Sequence, residues 1–209
     1  MRTRVKICGI TRIEDALAAA QYGADAIGLV FYDKSPRYIA PEKAQEIIDC
    51  LPAFVTVVGL FVNHPVARIQ EITRDLELDL LQFHGDESPA ECESAGHAYV
   101  KAVRAKDHCT IADAISDYSS ARAILVDSYQ AGKFGGTGEA FDWNWVPDNP
   151  PVPLVLAGGL TPGNVAQAVL RVNPWAVDVS SGVEVSPGIK SEPMINNFIQ
   201  EINHADAKR

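Results

Sequence analysis

"VKICGITR", residues 5–12, is a short apolar run that stops at a cysteine, a glycine and then a polar turn. The turn after the first strand separates two ways of building a parallel α/β core. An open doubly wound sheet that binds dinucleotides carries Gly-x-Gly-x-x-Gly at this point. "CGITR" does not supply it. An open sheet also leaves two edges to protect, whereas a closed barrel leaves none.

The rest of the chain repeats the same unit. β-Branched, two-sided apolar runs predict strands over 4–8, 26–31, 56–62, 80–84, 99–103, 123–127, 153–157 and 176–179. Between them, helical periodicity predicts helices over 13–22, 41–50, 66–76, 88–95, 110–116 and 164–172, with 192–202 closing the chain. "FDWNWV" (141–146) suits no more than a turn of helix. Thr11 is placed to cap the first helix, and Pro41, Pro65 and Pro89 suit first turns, where a missing N–H costs little. Gly23 and Gly96 stand where a left-handed C-cap is expected. Eight such units predict a closed (β/α)8 barrel with short loops, one domain over 1–209.

Composition narrows the function classes. The 209 residues are 47% hydrophobic and 22% charged, ample for a core, and the net charge is −9. That balance argues against nucleic acid, which demands a basic stripe. It leaves room for a small anionic substrate, because local cations and helix starts can outweigh the global sign inside a cleft. The four cysteines (Cys8, Cys50, Cys92 and Cys109) form no metal or redox motif and are expected to stay reduced. No run approaches membrane-spanning length and no apolar leader is present, so a cytoplasmic protein is expected.

Active sites in such barrels lie at the C-terminal ends of the strands. Those ends read Cys8, "FYDKSPR" (31–37), "FVNHP" (61–65), "FHGDE" (83–87), "KAVRA" (101–105), "VDSYQAGKFGGTG" (126–138), "AGGLTPGN" (157–164) and "DVSSGVE" (178–184). The last two are adjacent glycine-rich loops where barrels often seat a phosphate. Cys8 and Asp127 end the first and sixth strands, a base and an acid for removing a carbon-bound proton while protonating a leaving oxygen. A free cysteine is more often a small buried hydrophobe, and an aspartate after a strand often caps a turn. Lys6 shares the face of Cys8 and would either lower the thiol pKa or pair with Asp178 in the eighth strand. On spacing alone Arg37 reads as a solvated turn residue, His84 is open between substrate and backbone, and His64 suits capping. The segment 130–143 is long and glycine-rich enough for a lid or for a plain disordered excursion.

The ordered series "KICGIT", "SPRYI", "FVN", "QFHGDE", "LVDS", "GGTGEAFDW", "LAGGLTPGNV" and "VDVSSGVE" resembles the phosphoribosylanthranilate isomerase family of tryptophan biosynthesis over nearly the whole chain. The resemblance implies an Amadori rearrangement of an aminoaldose phosphate, with no cofactor and no metal. By that likeness Asp127 is the general acid and Cys8 the general base. Arg37 becomes the partner of the anthranilate carboxylate, reversing the reading from spacing, and backbone around Gly158, Gly159, Ser180, Ser181 and Gly182 holds the phosphate. Lys6, His84 and Asp178 complete the candidate substrate-binding set. The expected partner is a small phosphosugar, without nucleic acid or membrane, and the protein is expected to be a monomer or homodimer. Phe83, where the family usually has leucine, suggests a volume change at the rim, and Ser191 after "SPGIK" a weaker start to the last helix. Val62 and Phe134 are further rim candidates without an assigned role. Two other readings remain at this point. One is a related isomerase of histidine biosynthesis, expected to use two aspartates and a second phosphate site, and the other is a phosphosugar-binding barrel without chemistry.

Overall fold

The computed structural model describes residues 2–128 and 142–209. Eight parallel strands close into a barrel in sequence order: β1 (Arg4–Cys8), β2 (Ala26–Val30), β3 (Thr56–Phe61), β4 (Leu80–Phe83), β5 (Tyr99–Ala105), β6 (Ala123–Ser128), β7 (Leu154–Leu156) and β8 (Ala176–Val179). The helices are α1 (Ile13–Tyr22), α2 (Pro41–Cys50), α3 (Val66–Asp75), α4 (Pro89–Ser94), α5 (His108–Asp117), α6 (Val165–Val172) and α7 (Glu192–Asp206). Between β6 and β7 the described residues hold one 3₁₀ turn, Trp143–Trp145, as "FDWNWV" suggested. The candidate lid and Phe134 lie outside the described residues, apart from Asp142 and Trp143.

The two-residue period of each strand sorts the core into layers. Val5, Ile7, Ile27, Leu29, Leu81, Ile124 and Val177 belong to the large cluster shared with the helices. The alternate residues fill the lumen. Val100, Ala102, Leu125, Val155 and Ala176 form one cluster there, and Cys8, Val30, Leu60 and Val62 another at the site end. β5 runs to Ala105, so Lys101 lies inside a strand rather than at its end. Phe83 is fully buried against Tyr99, with ring centroids 5.5 Å apart, and the expected change at the rim is a change in the strand–helix layer instead.

Local punctuation largely agrees with the residues. Gly23 is left-handed at φ 99°, Ser88 and Glu91 form a capping box, and Asp107 accepts from the Thr110 N–H. Thr11 does not cap α1, however. Arg12 holds that position without a side-chain bond, and the Thr11 hydroxyl donates to the Gly188 carbonyl. Ser191 precedes α7 without a side-chain cap bond, in line with expectation. Pro65 occupies the cap position of α3 rather than its first turn. The ring of His64 accepts from the Val62 N–H at 3.4 Å instead of capping that helix.

A short antiparallel hairpin, β9 (Glu184–Ser186) and β10 (Ile189–Lys190), was not expected from periodicity. It is too short to show alternation.

One buried ion pair braces the loops after β3 and β4. Lys101 Nζ donates to Glu87 Oε2 and to the Gly85 carbonyl, each at 2.8 Å, while Glu87 accepts the backbone N–H groups of Asn63 and Gly85. Removing one member leaves a bare buried charge. Lys101→Met is therefore expected to lower unfolding stability by about 3–5 kcal/mol in urea titration. The double variant with Glu87→Gln is expected to recover part of that loss.

Candidate active site

The pocket sits over the C-terminal ends of the strands and opens to solvent. Cys8, Arg37, His84, Asp127, Gly158, Gly159, Asp178, Ser180, Ser181 and Gly182 all line it, together with Val62. Lys6 alone of the candidate set does not. It lies beneath the pocket, where the barrel seam pairs it with the eighth strand.

That seam places Lys6 directly opposite Asp178, and the side chains meet at 2.9 Å. Both are almost fully buried, at 9% and 8% exposure. The two roles weighed for Lys6 are both present. Burial alone would lower the Lys6 pKa, but Asp178 and Cys8 raise it above the usual lysine range. The Cys8 thiol is pushed up by burial, against the pull of Lys6 and with a further push from Asp178. Lys190 also draws it down.

Gly28, on the neighbouring strand, makes room for this corner. A Cβ there would stand 2.8 Å from Cys8 Sγ and 3.1 Å from Lys6 Cε.

Across the mouth, Asp127 is held at both oxygens. Oδ1 accepts the Ser128 N–H at 2.7 Å, and His84 Nε2 lies 3.1 Å from Oδ2. The amide nitrogen of Gln82 faces His84 Nδ1 at 2.8 Å. An amide nitrogen only donates, so Nδ1 accepts and a neutral ring carries its proton on Nε2, aimed at the carboxylate. His84 thus meets the Asp127 carboxylate, a side-chain partner rather than the backbone group that spacing allowed. Gln82 is a buried contact of His84 that periodicity alone concealed, since a lumen glutamine reads like any inward strand position.

The pocket wall from β7 and β8 is mainly backbone. Gly158 and Gly159 have φ values of 79° and 65°, a region open to glycine at little cost. A Cβ at Gly158 would lie 2.5 Å from the Ser128 nitrogen and 3.0 Å from Asp127 Oδ1. One at Gly182 would run into the Leu160 carbonyl. The two loops therefore pack on each other, and Asn164 ties the first by accepting from the Thr161 N–H and donating to the Gly159 carbonyl. Such a surface of close backbone suits a phosphate.

Arg37 reaches the pocket, but not as a solvated turn residue. Its Nε and Nη2 fork onto Glu184 at 2.8 and 2.7 Å. Glu184 also accepts from Lys190 Nζ at 2.7 Å. Burial would raise the Glu184 carboxyl, yet Arg37 and Lys190 hold it below the usual range, while burial pushes Lys190 down. Sequence reasoning passed over both residues, although "DVSSGVE" and "SPGIK" contain them.

The arrangement offers an acid and a base on separate walls, an anion cradle and a directed guanidinium. All four cysteines are free. Alkylation followed peptide by peptide is expected to be slower at Cys8 than at exposed Cys50 and Cys109 near neutral pH. With its thiol raised, the Cys8 rate is expected to keep climbing above about pH 9, beyond an ordinary cysteine.

Comparison with known proteins agrees with this geometry. Residues 5–201 match the family model described as N-(5'-phosphoribosyl)anthranilate (PRA) isomerase. An N-(5'-phosphoribosyl)anthranilate isomerase of Pseudomonas fluorescens (strain Pf0-1) is 57% identical over 199 residues, covering 95% of this chain and 98% of the relative. The crystal structure of phosphoribosyl anthranilate isomerase from Thermotoga maritima superposes with a TM-score of 0.90 at 42% identity, over 97% of this chain and 99% of that one. Another solved isomerase is in complex with reduced 1-(o-carboxyphenylamino)-1-deoxyribulose 5-phosphate. It has a TM-score of 0.83 at 39% identity, with the same coverage.

Proposed function

Because the chain belongs to the N-(5'-phosphoribosyl)anthranilate isomerase family, we propose that Asp127 and Cys8 are the acid and base of its reaction. The chain is an isomerase of tryptophan biosynthesis and converts the aminoaldose to 1-(2-carboxyphenylamino)-1-deoxyribulose 5-phosphate. The observation that carries the residue assignment is the shared pocket. Cys8 ends β1 and Asp127 sits near the end of β6, three strands apart around the rim, and both face the same space.

In this reading the protonated Asp127 gives its proton to the ribose ring oxygen. The C1–O bond breaks and the nitrogen lone pair forms a protonated imine. The Cys8 thiolate then removes the proton from C2, and those electrons flow to the imine to give an enolamine. Tautomerisation yields the ketone. His84 and the Ser128 N–H keep the Asp127 carboxyl aimed. Lys6 supports the thiolate from below, which offsets part of the cost of its burial. The loops at Gly158, Gly159, Ser180, Ser181 and Gly182 take the phosphate, Asp178 faces the sugar, and the outer N–H groups of Arg37 take the anthranilate carboxylate. The catalyst needs no cofactor, metal or nucleic acid in this scheme, and the whole chain, 1–209, acts as one domain. Among the described residues no helix is long and apolar enough to cross a membrane. The substrate is a charged phosphate ester that stays in the compartment that makes it, which favours the cytoplasm.

Cys8→Ala and Asp127→Asn are each expected to lose about 10²–10⁴-fold in kcat while still binding the reduced product analogue. Steady-state kinetics and calorimetry on the same preparations decide it, and near-normal turnover in either variant would remove that residue from the mechanism. Turnover in deuterated buffer is expected to place deuterium at the former aldose carbon.

A homodimer is the assembly the surface favours. Phe54 is fully exposed at 103% and held at φ 73°, in the loop before β3 at the end of the barrel away from the pocket. A solved relative consists of mutually generated monomers of a dimeric isomerase from Thermotoga maritima, 38% identical with a TM-score of 0.82. Sedimentation equilibrium is expected to give twice the chain mass, and Phe54→Asp to shift it toward the monomer with kcat/KM retained.

A further inference from the structure

The hairpin β9–β10 adds nothing to the barrel sheet, yet it is clamped to the site from several sides. The carbonyl of Gly188 accepts the Thr11 hydroxyl from the first loop. A Cβ on Gly188, at φ 82°, would lie 3.2 Å from the Pro36 carbonyl of the second loop. The Lys190 N–H donates to Asp15 Oδ2 at the start of α1.

Lys190 Nζ is fully enclosed and donates to the Cys8 carbonyl at 2.6 Å, the Ser180 carbonyl at 3.2 Å and Glu184 at 2.7 Å. It also lies 3.4 Å from the Ser180 hydroxyl. One ammonium thus joins the ends of β1 and β8 to the partner of Arg37. The stem of Arg37 is in turn pressed on Gly9, where a Cβ would stand 2.5 Å from Arg37 Cδ. Neither Glu184 nor Lys190 lines the pocket.

Burying an ion pair is a poor route to stability, because desolvation offsets most of the attraction. A carboxylate against Arg37 also reduces the positive charge offered to an anionic substrate. What Glu184 does supply is direction. It fills the side-on edge of the guanidinium, Nε and Nη2, and leaves Nη1 with the outer hydrogen of Nη2 for a ligand.

We propose that Glu184 and Lys190 are a positioning pair for the isomerisation: Glu184 sets the angle at which Arg37 meets the substrate carboxylate, and Lys190 locks that angle to the strand ends bearing Cys8 and Ser180. The inference rests on the reading of Arg37 given above. It makes selection for a substrate with an ortho carboxylate a matter of orientation rather than of net charge.

Glu184→Asp keeps the charge but shortens the reach, and Glu184→Gln keeps the length but removes the charge. Both are expected to raise KM about 10-fold, a lost charge-assisted hydrogen bond, with kcat changed by less than about 3-fold. Lys190→Met is expected to lower kcat and raise KM together. The Glu184→Asp result carries the test if Lys190→Met fails to fold. An unchanged KM in Glu184→Asp overturns the proposal, and so does a lower KM in Glu184→Gln, which would mark Glu184 as a charge brake. Arg37→Met in the same assay keeps the two levels apart. A KM unmoved by Arg37→Met sinks the reading of Arg37 itself. A KM raised there but not by Glu184→Asp sinks this inference alone.

Discussion

Closure of the sheet along β1 and β8 is the constraint on which the site depends. The register that seals the barrel puts Arg4, Val5, Lys6 and Ile7 opposite Ala176, Val177, Asp178 and Val179. Because side chains alternate between faces, the same pairing sends Ile7 and Val179 to the helices and Lys6 and Asp178 into the lumen. A slip of one residue would reverse every one of these choices. It would strand two charges among the helices and lift Cys8 off the pocket.

Charge is placed in this barrel with little water to screen it, so each buried group is matched. Lys6 meets Asp178, Lys101 meets Glu87, Lys190 meets Glu184, and Asp127 meets His84 and a backbone N–H. The pairs occupy different strand ends and brace different loops. Their shared consequence is rigidity at the rim, where the proposed proton donor and proton acceptor must face one substrate without drifting. The apolar lumen around Val100, Leu125 and Val155 separates this polar end from the opposite mouth.

Burial raises the Cys8 thiol, and Lys6 and Lys190 limit the cost of the thiolate that the proposed base role requires. Gly28 contributes by what it lacks, since any Cβ there would collide with the sulfur. Glycines at 158 and 182 do the same for the pocket wall after β7 and β8, holding two loops closer than side chains permit.

Much of this was already legible in the residues. Two-sided apolar runs and helical periods located the eight barrel strands and, among the described residues, the seven α-helices, though not the β9–β10 hairpin, because local period is set by backbone geometry and survives without tertiary help. Cys8, Asp127 and the glycine-rich loops were visible because strand ends are where such barrels present chemistry. What the tertiary structure alone decided were partnerships between residues far apart in the chain. Arg37 with Glu184, 147 residues away, has no local signature. Nor does Lys190 on the Cys8 carbonyl, 182 residues away, or the turn of His84 toward Asp127. Thr11 was misplaced for the same reason: a hairpin from the far end of the chain offered its hydroxyl a carbonyl that no local pattern announces. Period and composition report what a segment does on its own, whereas closure of the barrel decides which side chains then find each other.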